Sequence, residues 1–186
     1  MFKLQIKYLG FFFGIIAILS FFNIIYSYYF NLYLNLDTYY YSLFTSLIIS
    51  ILFYKLKIIN KKQSIFDKIL TVFFGYLLLP LVLSIPFYFS IYDLTFLNSY
   101  FESISGFTST GFSIFDNIKH IDQSLILWRS TTQWIGGLYF LFSIIFLIDI
   151  YDENFKKTLT NFISFDSSEI FKQAIKIFLL YSSLTL

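Results

Sequence analysis

The sequence predicts an all-α membrane protein: a leading transmembrane hairpin, one helix–re-entrant loop–helix repeat, and the start of a second repeat. Three observations carry this. Of 186 residues, 58% are hydrophobic and 13% charged, against roughly 45–50% and about 25% in soluble chains. The charges are spaced so that four long apolar runs lie between them. Between the third and fourth runs sits a segment too apolar for a solvated loop and too short to cross a bilayer. With a mean hydropathy of +0.72, a soluble domain of this size could not hide its apolar surface. An aromatic content of 24% excludes a disordered chain. At about 20 residues per crossing helix, the length holds four or five spans.

The first run, residues 8–36, is free of charge, and Gly10–Tyr29 within it is long enough to cross. A cleaved signal peptide is the alternative, with Lys3 and Lys7 as its basic start. The apolar run exceeds the usual stretch of about 7–15 residues, and no small-residue cleavage pattern follows, so an uncleaved anchor is expected. The second run, 38–54, is short, about 25 Å as helix, but Lys55 and Lys57 can snorkel and extend it. These two spans form a hairpin over residues 1–60. The third run, Ile69–Tyr92, contains Pro80 and Pro86. In water each would cost a helix about 3 kcal/mol, whereas in membranes neighbours satisfy the freed carbonyls. A kinked helix is expected, irregular after Pro86. The fourth span is Ser130–Ile148, so residues 61–150 make one repeat. Residues 151–186 read as a polar linker followed by a new apolar run, Ile177–Leu186, too short to span.

Orientation follows from lysine. The N-terminus, segment 55–68 and segment 149–176 hold two, five and four of the thirteen basic residues. Four crossings put all three on one side, the cytoplasm, with the N-terminus there. The opposite loops carry Asp37, Asp93, Glu102, Asp116 and Asp122, with Lys119 and Arg129 as their only basic residues. That acidic face favours cations. A net charge of +2 implies no nucleic-acid partner. The absence of cysteine excludes disulfides and thiol catalysis. A single histidine argues against zinc. No nucleophile–base pair, metal cluster or phosphate loop marks an enzyme, and no covalently bound cofactor is expected.

Residues 94–128 join the third and fourth spans. Their first part holds one charge, Glu102, and a short helix is expected over Leu97–Ser105. It runs into Gly106-Phe107-Thr108-Ser109-Thr110-Gly111-Phe112. Non-helical backbone at membrane depth is tolerated only where it lines a wet cavity or packs on protein. Gly106 is suited to end the helix with a positive φ, and Gly111 to a geometry that side chains resist. Thr108, Ser109 and Thr110 would be extended, turning carbonyls toward an axis, as in filters that coordinate dehydrated K⁺. The other reading is an external loop with Thr and Gly turns.

The motifs FESISGFTSTGFS (101–113) and LWRSTTQWIGGL (127–138), in this order and joined by one loop, resemble the TrkH/KtrB (Trk/Ktr/HKT) potassium transporters, TrkH in particular because two spans precede the repeat. The resemblance implies four helix–pore-loop–helix repeats around one ion path, each supplying one filter strand. Thr108, Ser109, Thr110 and Gly111 match the first strand, with K⁺ as the substrate held by their backbone carbonyls. It implies potassium transport in a bacterial inner membrane. It also implies a homodimer in the lipid bilayer, and a TrkA-type cytoplasmic nucleotide-binding regulatory subunit. Three further repeats would be needed, and Ile177–Leu186 resembles the start of the second. The chain is therefore expected to be an N-terminal portion or one part of a split transporter, and the alternative to transport is an incompetent fragment.

Several side chains carry two readings. Arg129 either pairs with Glu102 and braces the filter or snorkels at the interface; Glu102 could instead be an outer cation-attracting charge. Gly136 and Gly137 let the fourth span approach the pore helix. Gln133 and Trp134 lie one turn beyond Arg129, and Trp134 reads as interfacial belt before any ion role. Asn23 is expected to hydrogen-bond between helices. His120 is a solvated loop residue or a pH sensor.

Overall fold

The structure, a computed structural model, describes residues 6–56, 65–148, 176 and 179–183. Helices account for its regular structure, and no strand occurs among the described residues. They are α1 (Ile6–Tyr29), α2 (Leu36–Lys55), α3 (Ile65–Leu83), a single turn α4 (Ile85–Tyr88), α5 (Phe96–Phe107) and α6 (Gln123–Ile148). Among the described residues, three stretches are long and apolar enough to cross a membrane: Lys7–Tyr29, Leu36–Lys55 and Phe66–Tyr88. The chain is an all-α, multi-pass membrane protein. The fourth expected span, 130–148, falls within α6, which starts seven residues earlier than expected, so Arg129 lies inside a helix. Most of the linker 151–186 lies outside the described residues.

The chain divides into two units, residues 1–137 and 138–186. In the second, the described part is the end of α6 and helical residues at 176 and 179–183. Its hydroxyls bond locally, Ser143 Oγ to Tyr139 O at 2.7 Å and Ser183 Oγ to Leu180 O at 2.8 Å. All that follows concerns the first unit.

Packing in the α1–α2 hairpin is inverted relative to a soluble protein. On α2 the buried residues are Thr38, Tyr39, Ser42, Ser46 and Ser50, spaced mainly by four. Phe44, Leu47, Ile48, Ile51 and Leu52 are exposed. In water that arrangement would be unstable. In lipid the tails solvate the apolar face, and small hydroxyl residues let backbones approach and bond. The helices meet at Gly10, where a Cβ would lie 3.0 Å from Phe53 Cβ. Ser50 Oγ donates to Gly10 O at 2.9 Å, and the hydroxyls of Ser20 and Ser42 lie 3.0 Å apart. Asn23 is fully buried, but its amide donates to Leu19 O of its own helix at 3.4 Å, not across to a neighbour.

α1 closes in a Schellman turn: Leu32 N donates to Ser27 O at 2.8 Å and Asn31 N to Tyr28 O at 3.3 Å, with Asn31 at φ 57°. Asparagine tolerates this left-handed position better than most residues.

The third span breaks where its prolines require, although it ends sooner than the charge-free run. α3 continues through Pro80 to Leu83, Ser84 interrupts it, and α4 holds Pro86 in its first turn. The chain then turns out at Phe89–Asp93. Neighbours supply donors to the carbonyls at the break: Ser103 Oγ to Pro80 O (2.8 Å), Ser84 Oγ to Leu81 O (2.7 Å) and Trp128 Nε1 to Leu83 O (3.0 Å). A broken helix survives at membrane depth on such terms.

The hairpin contact predicts graded costs. Ser42→Ala removes one interhelical hydroxyl contact and should cost about 0.6 kcal/mol. Gly10→Val forces side-chain bulk against Phe53 and should cost about 1–3 kcal/mol. Unfolding by steric trapping in bicelles measures both, and equal costs would contradict the close approach at Gly10.

Candidate functional site

The site is built on α5. Thr95 caps it, its hydroxyl accepting from Asn98 N at 3.3 Å. One face of α5 is apolar and exposed, with Phe96, Leu97 and Phe101; the other buries Ser99, Glu102, Ser103 and Gly106. The helix runs two residues beyond its expected end at 105, and its closure differs from expectation. Gly106 is inside the helix and has no positive φ. The left-handed residue is Ser109, at φ 56°. Ser109 N donates to Gly106 O at 2.9 Å and Thr110 N to Ser105 O at 3.1 Å, a Schellman closure with serine where glycine is usual. Thr108 and Ser109 are therefore the helix cap and not extended backbone, Thr108 sitting at φ −86°, ψ 1°. Two satisfied carbonyls at the helix end outweigh the preference for extension. Gly111 does take a positive φ, +78°, and no atom lies within 4 Å of where its Cβ would be.

Gly106 has a different use. A Cβ there would collide with Thr132 Oγ1 on α6 and lie 3.2 Å from Thr132 Cβ. Gly136 does the same in reverse: a Cβ would fall on the carbonyl of Phe107 and 2.7 Å from its Cα. The two glycines let α5 and α6 cross with backbone nearly in contact. That close approach belongs to Gly136; Gly137 is half-buried.

Behind the Thr-Ser-Thr-Gly turn lies a buried charge pair. Glu102 is 0% exposed and Arg129 8%. Arg129 Nε stands 2.8 Å from Glu102 Oε1, though its N–H is not aligned with that oxygen, so the contact is a charge pair more than a hydrogen bond. Both were counted above among outer-face charges, and neither faces water. Glu102 also accepts from Ser113 Oγ at 3.1 and 3.2 Å and from Ile114 N at 3.0 Å. Ser113 Oγ in turn accepts from Phe115 N at 3.2 Å. A buried carboxylate needs this much compensation. Arg129 Nη2 reaches Gly111 O at 3.4 Å and Phe112 O at 3.3 Å. The Gly111 carbonyl, expected to face an ion, here lies within reach of the guanidinium.

Serine and threonine complete the support. Ser105 Oγ donates to Phe112 O at 2.6 Å and lies 3.1 Å from Thr110 Oγ1; Thr108 Oγ1 donates to Ile104 O at 2.7 Å. The outer side of the turn is open: Thr108 to Phe112 are all exposed, Phe112 at 70%. The donor set there is oxygen only, and no group of three or more His, Cys, Asp or Glu occurs among the described residues. Oxygens of this kind suit a hard monovalent cation more than a transition metal.

The structure brings together Glu102, Gly106, Thr108–Gly111, Arg129 and Gly136. Gln133 is exposed and Trp134 half-buried on α6, and His120 is exposed. The sequence reading passed over Ser103, Ser105, Ser113 and Trp128. Ser99 and Ser103 share one face of α5 with Glu102, a pattern visible at helical spacing. Ser113 and Trp128 are placed by tertiary contact alone.

Fold and site together define a multi-pass α-helical membrane protein with a loop buttressed by the short α5 and the long α6. No family model matches the chain, and no solved structure matches it. It is similar to an uncharacterized cation transporter of Methanocaldococcus jannaschii, 29% identical over 127 residues, 67% of this chain and 27% of that protein. It is similar to the Trk system potassium uptake protein TrkI of Halomonas elongata, 42% identical over 60 residues, 32% of this chain and 11% of that protein. It is also similar to TrkG of Escherichia coli, 37% identical over 46 residues, 25% and 10% respectively. The resemblance to Trk potassium uptake proteins drawn from the two motifs is thus shown as partial similarity. The chain spans about a quarter or less of the length of the curated relatives it matches. These relatives are named as transporters and not as enzymes.

Glu102→Gln leaves the guanidinium buried without a counter-charge and should destabilise the fold by about 3–5 kcal/mol. Arg129→Met in the same chain should recover part of that cost, giving a coupling energy of about 0.5–3 kcal/mol in a double-mutant cycle. Strictly additive costs would mean that the two charges do not interact. At the helix crossing, Gly136→Val should separate α5 from α6 and abolish an engineered cross-link between cysteines placed on the two helices; a retained cross-link would contradict the contact with Phe107.

Proposed function

We propose that this chain is a potassium-translocation subunit in which Thr108, Ser109, Thr110 and Gly111 form one strand of a K⁺ filter. One observation carries the reading: the Thr108–Phe112 loop is open on one side, while Arg129 and Ser105 hold its Gly111 and Phe112 carbonyls and Glu102 holds the Ser113 and Ile114 that follow. A loop that strips water from an ion must hold its oxygens in place without help from that ion. The support behind this loop is dense enough for that. The partially negative C-terminal end of α5 is directed into the same loop, which favours a cation. The relatives named as potassium uptake and cation transport proteins support the same reading.

Transport in this proposal is passage through backbone carbonyl sites with no covalent chemistry. K⁺ is the substrate, and Glu102, Gly106, Arg129 and Gly136 support the filter strand. One strand makes one side of a coordination shell, so the proposal requires three further strands to close the ring. The exposed Phe112 side of the loop is the face those strands would cover. Dimerisation, a TrkA-type nucleotide-binding subunit, the inner membrane and a cytoplasmic N-terminus belong to the same proposal by resemblance.

In an assembly holding all four strands, Gly111→Ser should lower K⁺ over Na⁺ selectivity in flux assays. It places a Cβ on a residue at φ +78° and so distorts the strand. Unchanged selectivity would refute the filter assignment.

A further inference from the structure

We propose that the leading hairpin positions the filter, and that Asn35, Tyr39 and Asp122 are the positioning residues through which it acts. Asn35 lies between α1 and α2 and is 1% exposed. Its amide nitrogen donates to Asp122 Oδ2 at 2.9 Å, and its amide oxygen accepts from Ile91 N at 3.1 Å. One side chain thus ties three segments: the hairpin, the turn after α4, and the start of α6. Asp122 is held from two more directions. Its backbone N donates to Tyr92 Oη at 2.7 Å, and Ser124 Oγ donates to its carboxylate. Tyr39, fully buried on α2, donates to Ser124 Oγ at 2.9 Å and sets its ring 5.9 Å from that of Trp128.

These contacts lie where α6 begins, and the consequence reaches the filter by helix geometry. Asp122 and Arg129 are seven residues apart, two turns on nearly the same face. A latch that sets the depth and rotation of the first turn sets Arg129 as well. At 3.3–3.4 Å from Phe112 O and Gly111 O, and 2.8 Å from Glu102, Arg129 keeps its contacts only at that depth. A slip of one residue moves it by about 1.5 Å and 100°. The hairpin contributes no residue to the loop, yet it holds the helix from which the loop is braced. The functional consequence rests on the filter reading above; the mechanical coupling does not.

The coupling is read by peptide-level hydrogen exchange on the full chain in lipid nanodiscs. The amides of Thr110, Ile114 and Phe115 are bonded within the supported loop, so exchange over 110–115 reports on the brace. Asn35→Leu removes both amide bonds and leaves Asp122 short of a donor. Exchange over 110–115 should then rise about tenfold, the effect of losing buried bonds to a charged group, while 44–53 on α2 stays as in the parent. Two outcomes would overturn the proposal: 110–115 within twofold of the parent in Asn35→Leu, or an equal rise over 44–53. No ion flux enters this measurement, so its failure is distinct from failure of the filter assignment, which selectivity at Gly111 tests.

Discussion

A carboxylate taken out of water needs a counter-charge and hydrogen-bond donors to offset its lost solvation. Glu102 satisfies that constraint by gathering the site around itself. Its two oxygens engage Arg129 from α6 and Ser113 and Ile114 from the descending loop. Because it stands on α5, one side chain fixes the relation of three segments. Apolar packing could hold α5 against α6, but it is non-directional and would leave the returning loop unregistered. The charge pair adds little net stability over an apolar equivalent. What it adds is geometry, since removing either partner strands the other.

Close approach makes that geometry attainable. Arg129 reaches the loop carbonyls because α6 lies almost on the backbone of Phe107, and it does so because Gly136 and Gly106 have no Cβ. The Schellman closure then turns the chain sharply, with Ser109 in the left-handed region. Ser105 ties the far side of the turn back to the helix through Phe112 O. The same logic holds α1 on α2, where Gly10 and the serine ladder allow contact that bulkier residues would block. In lipid there is no hydrophobic drive between helices, so small residues and hydroxyls do this work.

Much of this was legible in the chain. The apolar runs predicted the hairpin and the broken third span, because crossing a bilayer demands length and apolarity that charges interrupt visibly. The Glu102–Arg129 pair was one of two sequence readings of Arg129, and the 2.8 Å contact decides between them. Less legible were the short-range details. Gly106 looked like a helix terminator, since glycine is the usual left-handed residue, but its role is set by Thr132 on another helix. Ser109 was read as extended because nothing local reveals that two carbonyls need closing. Asn35 and Asp122 passed as loop residues, for their partners are 87 positions apart.

By itself, then, the sequence determined the solvent, the helices and the order in which a short helix and a Thr-Ser-Thr-Gly turn fall between longer ones. These depend on composition and local periodicity, which are properties of neighbouring residues. Only the tertiary structure decided which charges are buried, which glycine serves turning and which serves contact, and that the hairpin grips the start of α6. Those outcomes depend on distances between residues far apart in the chain, and such distances exist only once the helices have packed.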